Sequence, residues 1–232
     1  MGYFSDSFSA AIDLIFQFDQ EVWLIVWTSL KISLIAAMLA ALIAIPTGIT
    51  IALNEFRGKY FLQQILNTLM AMPTVVIGLL LYGLFTRQGP MGTLGLLYTP
   101  TAVVIAECIL ILPIILNLTI VAVQSADKRL VPTLKSLGAT KVQLAMEVAG
   151  ETRFAVLAAV VTGFGRAIGE VGAAMMLGGN IEGFTRTMTT AIALETSKGE
   201  FELGLALGLL LLIIASVVNF GLQFLSGRGQ SS

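Results

Sequence analysis

The sequence predicts an all-α integral membrane protein of about five transmembrane helices, with a cytoplasmic loop of short helices between spans three and four. Three observations predict it. Hydrophobic residues make up 56% of the 232 and charged residues only 12%, with a mean hydropathy of +0.91. A soluble domain coats itself with roughly 25% charged residues, so this chain is built for lipid. Apolar stretches of membrane length recur five times. Basic residues gather in alternate connections between them.

The elements follow in order. Residues 1–21 are too polar to span, and their apolar positions recur at roughly helical spacing. They form an external segment that either lies at the membrane surface or is a loose terminus. With no basic residue before it, the stretch is not a signal peptide. The membrane domain covers residues 22–225, with spans at 22–53, 62–85, 101–123, 154–177 and 201–225. A crossing takes about 20 residues for about 30 Å of hydrocarbon. The first span is longer, so it tilts, kinks at Pro46 or projects. Pro46, Pro73 and Pro113 each fall inside one of the first three spans. Each favours a kink, read either as bent packing or as a helix that flexes.

Arg57 and Lys59 follow span one, and Arg228 follows span five. Lys128, Arg129, Lys135, Lys141 and Arg153 lie in the loop 125–153. The opposite side holds Arg87, Arg186 and Lys198, and the first 21 residues hold Asp6, Asp13, Asp19 and Glu21. The positive-inside rule places the N-terminus outside and the tail 226–232 in the cytoplasm. In the loop, Asp127 can cap a helix over 130–137, Gly138 can end it, and Thr140 can cap a second over 141–148. Leu137, Val142 and Leu144 then offer apolar contacts, either to a docking partner or as an ordinary amphipathic linker.

Four ionisable residues lie at membrane depth: Lys31, Glu107, Arg166 and Glu170. Each such charge costs about 2.5–3.5 kcal/mol at a helix centre, so they should face inward and pair. Arg166 and Glu170 are neighbours at i, i+4 on one helix. Lys31 and Glu107 sit at similar depths in spans one and three, which predicts a cross-helix pair. Gly165, Gly169 and Gly172, with Ala173, form a small-residue face suited to close helix packing at an interface or path. Met175 and Met176, with Leu177, form an apolar gate or a packed patch. The stretch from Gly178 to Glu200 is long for a turn; it dips back or meets an external protein.

Several classes are excluded. The chain has no histidine and one cysteine, Cys108, which removes histidine-based metal sites, histidine triads and any internal disulfide. No metal site is expected, and a net charge of -1 gives no sign of nucleic-acid binding. No phosphate-binding glycine loop is present: Gly58-Lys59 is followed by Tyr60. A membrane-embedded enzyme finds no cluster of catalytic polar groups, and a secondary transporter finds no inverted repeat.

The segment PTLKSLGATKVQLAMEVAGE resembles the coupling segment of ABC importer permeases. It keeps the core Ser136-Leu137-Gly138-Ala139 and departs at Pro132-Thr133-Leu134 and Gly150-Glu151. Downstream, Arg166, Glu170, Gly172 and Ala173 resemble the molybdate, sulfate and tungstate branch. AMPTVVIGLLLYGLF, SLKIS and LGGNI look like that branch too, and the whole is most like tungstate permeases. The resemblance implies a permease subunit of an ATP-driven oxyanion importer in the cell's inner membrane, with molybdate or sulfate as the alternative ions. It implies a homodimer, two cytoplasmic ATPase subunits that bind Lys135, Ser136, Leu137, Gly138, Ala139 and Thr140, and an external binding protein. The chain itself would bind no cofactor and catalyse no reaction; ATP and Mg would sit on the ATPase. Lys31, Glu107, Arg166, Glu170, Met175 and Met176 are the candidates for path, gate or helix positioning. A neutralised Arg166–Glu170 pair suits a path that must not hold its ion tightly.

Overall fold

The computed structural model describes residues 2–127 and 129–229, with side chains described over 7–127 and 129–221. Lys128, residues 230–232 of the tail, and the side chains of Asp6 and Arg228 lie outside the described residues.

The described residues form eleven α-helices and a short 3-10 turn: α1 Gly2–Phe16, α2 Gln20–Leu53, α3 Lys59–Met70, α4 Thr74–Phe85, the turn Gly92–Leu94, α5 Pro100–Gln124, α6 Leu130–Ser136, α7 Lys141–Glu151, α8 Arg153–Ile168, α9 Gly172–Gly178, α10 Met188–Lys198 and α11 Phe201–Gly229. The N-terminal segment is not loose. Helix α1 packs against α11, with Ser7 and Ala11 buried. Asp19 then caps α2 by accepting from the backbone N–H groups of Glu21 and Val22.

Helices α2 and α5 are the spine. The face of α2 that meets α5 is built from Ala36, Ala37, Ala40 and Ala44, all buried. Gly48 continues it: a Cβ there would lie 2.9 Å from the Thr119 side chain. Small residues let the two backbones approach closely, and dispersion then supplies the attraction that lipid denies to the hydrophobic effect. Both helices run through a proline, Pro46 and Pro113. Around Pro46 the hydroxyls of Thr47 and Thr50 donate to the carbonyls of Ile43 and Pro46 at 2.6 and 2.7 Å.

Among the described residues, three helices are long and apolar enough to cross a membrane: α2, α5 and the first 21 residues of α11. Spans two and four are not continuous, which corrects the sequence reading. Helices α3 and α4 meet at 92°, and α8 and α9 at 62°. The count reaches five when each bent pair is taken as one span. Pro73 lies not inside a helix but at the N-cap of α4. It lacks an N–H, and its ring disfavours α conformation at Met72. Helix α3 therefore ends in tight turns, with Ala71 and Met72 donating to Thr68 and Leu69. The second break has no proline; it falls at Gly169-Glu170-Val171.

Candidate coupling surface and translocation path

The described residues of the loop between α5 and α8 form the two predicted short helices, but the N-cap of the first is Arg129, with no side-chain cap, and not Asp127. The Asp127 carboxylate accepts from the Arg129 N–H at 2.8 Å. Gly138 adopts φ 80°, a conformation that favours glycine. It lets the Ala139 N–H return to the Leu134 carbonyl at 3.0 Å. Thr140 and Gln143 form a reciprocal capping box at the start of α7. This fixes one face outward: Leu137 is 77% exposed, Val142 68% and Met146 69%. The other face turns in. Val148 is buried with Ile49 of α2 and Val123 of α5. Leu144 is buried as well, so it supports α7 instead of joining the docking face. Met146, one turn after Val142, takes its place there.

The second region is the break between α8 and α9. Arg166 and Glu170 pair at 3.0 Å, as their spacing predicts, but Glu170 lies in the break and not on the helix. Its second oxygen accepts from the Ala173 N–H at 3.1 Å and so starts α9. Its backbone carbonyl accepts from the Thr189 hydroxyl at 2.6 Å. One buried carboxylate residue thus joins the end of α8, the start of α9 and the start of α10. Arg166 is different: its side chain is 42% exposed. The pair is neutral overall, with its anion hidden and its cation at the surface of the chain.

The glycines divide. Gly172 packs closely, with a Cβ position 3.0 Å from Val75 and 3.2 Å from Thr74. Gly165 has nothing within 4 Å, and Gly169 meets only its own helix backbone at 3.7 Å. Two of the three predicted packing glycines therefore leave an open face within the chain. The closely packed glycine of α8 is Gly163, whose Cβ position lies 2.7 and 2.8 Å from Ile115. Met175 and Met176 are half-buried; Met176 lies against Gly78 of α4, with 3.1 Å from its sulfur to a Cβ built there.

The predicted Lys31–Glu107 pair does not form. Glu107 is 2% exposed, with the Ser33 hydroxyl as its neighbour and Oε2 without a hydrogen-bond partner. Lys31, two residues from Ser33 along α2, is exposed on the opposite side. Similar depth in two spans does not fix rotation about each helix axis; the alanine face of α2 does, and it turns Lys31 outward. The sequence reading also missed a layer of hydroxyls. The stretch after α9 turns back as α10, where Thr187, Met188, Thr189 and Thr190 are buried. The Met188 N–H donates to the Ser29 hydroxyl at 2.6 Å, and the Thr185 hydroxyl donates to the Gly178 carbonyl at 2.6 Å. Arg186 pairs with Glu21 at 3.2 Å and ties this turn to the start of α2. The run TRTMTT was the signal: four hydroxyls in six residues beside an apolar helix need internal partners.

Comparison with known proteins places this architecture. Residues 44–228 match the family described as the binding-protein-dependent transport system inner membrane component. The chain belongs to that family. The tungstate uptake system permease protein of Peptoclostridium acidaminophilum is 40% identical over 219 residues, covering 94% of this chain and 96% of that one. The protein of the same description from Campylobacter jejuni is 40% identical over 220 residues, covering 95% and 92%. Among solved structures, the crystal structure of an amino acid ABC transporter with histidines superposes with a TM-score of 0.63 at 16% identity, covering 92% of this chain and 96% of that chain. At that identity the likeness speaks to fold alone. As a member of this transport family, the chain is a membrane component with several apolar helices, and the relatives it matches are permeases rather than enzymes.

Proposed function

We propose that the chain is the permease subunit of an ATP-driven oxyanion importer, with tungstate as the ion. The observation that carries this reading is the 40% identity, spread over nearly the whole chain, to two tungstate uptake permeases. Two copies line the path as a homodimer, and residues 22–225 form the transmembrane domain. Two ATPase subunits, which hold ATP and Mg, dock on the cytoplasmic loop 125–153. Lys135 to Thr140 form the turn at its tip, and Leu137, Val142 and Met146 present the apolar contact. An external binding protein delivers the ion on the side of the N-terminus, and the tail lies in the cytoplasm.

Arg166 and Glu170 position α9 and α10 and leave selectivity to the binding protein. Tungstate and molybdate are nearly alike in size and charge, and a path must release what it admits. Met176 sits where α9 meets α4, and with Met175 it narrows the path. The test is reconstitution of the full transporter in proteoliposomes with its ATPase and binding protein. ATP-dependent tungstate uptake is expected, with molybdate and sulfate competing in the order of their affinities for the binding protein. Absence of ATP-dependent oxyanion uptake overturns the reading; competition that ignores the binding protein's order overturns the placement of selectivity.

A further inference from the structure

The exposed face of α2 carries one charge that the transport reading does not use. It runs Trp27, Lys31, Leu34, Met38 and Leu42, all exposed and all apolar but for the lysine. Lys31 has no ion pair or hydrogen bond among the described residues. An unpaired ammonium on an exposed apolar stripe at membrane depth is costly, so its surroundings should supply an anion. Helical side chains lean toward the N-terminus, which carries the Lys31 ammonium toward the level of Trp27. Tryptophan is the residue of the membrane interface, and a long lysine reaches for that level.

Lys31 also lines a groove of about 580 Å³ between α2 and α5. Its lining is mostly apolar, with Ile35, Leu39 and Val104 along it, and its polar groups are Lys31, Thr28 and Thr101. The Thr101 hydroxyl has no hydrogen bond among the described residues. It stands in the first turn of α5, where the helix dipole favours negative charge. A cation, a free hydroxyl and a helix start over an apolar slot match the two ends of a phospholipid. An apolar helix of another chain would leave the ammonium bare; a phosphate satisfies it.

We propose that this groove binds an anionic phospholipid, with its phosphate held by Lys31 and Thr101 and an acyl chain along Ile35, Leu39 and Val104. The site is independent of which ion is transported. Native mass spectrometry of the full chain, co-expressed with its transport partners and exchanged into phosphatidylglycerol or phosphatidylcholine, tests it. Retained phosphatidylglycerol is expected to fall about fivefold in Lys31→Gln, since a lysine near the surface contributes about that factor to anionic-lipid binding. Lys31→Arg should keep it, and phosphatidylcholine, whose quaternary ammonium offsets the charge of its phosphate, should fall less than phosphatidylglycerol in Lys31→Gln. Leu39→Trp, which fills the slot, should lower both lipids. Equal retention of phosphatidylglycerol in Lys31→Gln overturns the proposal. So does a disulfide between two copies through Leu39→Cys in a Cys108→Ala background, because another chain would then cover the groove. A raised KM for the oxyanion in Lys31→Gln with unchanged lipid retention also overturns it, by placing Lys31 on the path.

Discussion

Helices α2 and α5 each contain a proline and remain continuous, whereas the fourth span contains none and breaks by 62°. The difference lies in where backbone groups find partners. Near Pro46 the helix is held from outside, its alanine face clamped on α5. At Gly169-Glu170-Val171, partners are available that a continuous helix would not need: the Glu170 side chain takes the Ala173 N–H and Thr189 takes the Glu170 carbonyl. In lipid an unmet backbone group costs several kcal/mol. Continuity therefore follows the packing and the partners at each site more than proline content.

The sharpest way to break this comparison uses two glycines two residues apart on α8. Gly163→Leu drives a side chain into Ile115 of the spine and should destabilise the protein by about 3 kcal/mol. A thermal melt of the detergent-solubilised protein would read it. Gly165→Ala meets nothing within 4 Å and should raise helix stability by about 1 kcal/mol in the isolated chain. A loss of transport with an unchanged or raised melting temperature would mean that a second chain covers that face.

The cytoplasmic loop gives the next contrast. Leu144→Ala removes a buried contact and should cost about 2–4 kcal/mol. Val142→Asp, on the exposed face of the same helix, should leave the melting temperature within a degree or so while abolishing ATP-driven uptake. Equal damage to stability from both would mean that the outward face packs within the chain.

Smallest is Thr189→Val, which removes the hydroxyl on the Glu170 carbonyl. A buried hydrogen bond lost in this way costs about 1 kcal/mol. Backbone amide exchange should rise at residues 169–173 and stay unchanged in α5. A uniform rise would mean that the break is not a separate unit of stability.

Much of the fold was legible in the sequence because hydropathy, glycine and cap residues act locally. The first, third and fifth spans, the Gly138 turn, the Thr140 cap and the Arg166–Glu170 pair all follow from neighbours within a few residues. The break in span two was half legible, since Pro73 marked a kink but not the end of a helix, whereas the break in span four was not, since its partner comes from far along the chain, as Thr189 does for Glu170. What the open face at Gly165 meets was not legible either: i, i+4 spacing identifies a small-residue face without saying what it packs against. Lys31 and Glu107 failed as a pair because depth along a helix carries no information about rotation around it.

Val148 has a mechanical consequence. It is the inward foot of α7, seated with Ile49 and Val123 near the ends of α2 and α5. A push on Val142 or Met146 is therefore delivered into the two unbroken helices, which bear it along their whole length like the legs of a frame. The broken spans hang from that frame, hinged at Pro73 and Glu170. If an ATPase docks on that face, as proposed, its load enters through the stiff members and reaches the jointed ones as tilt.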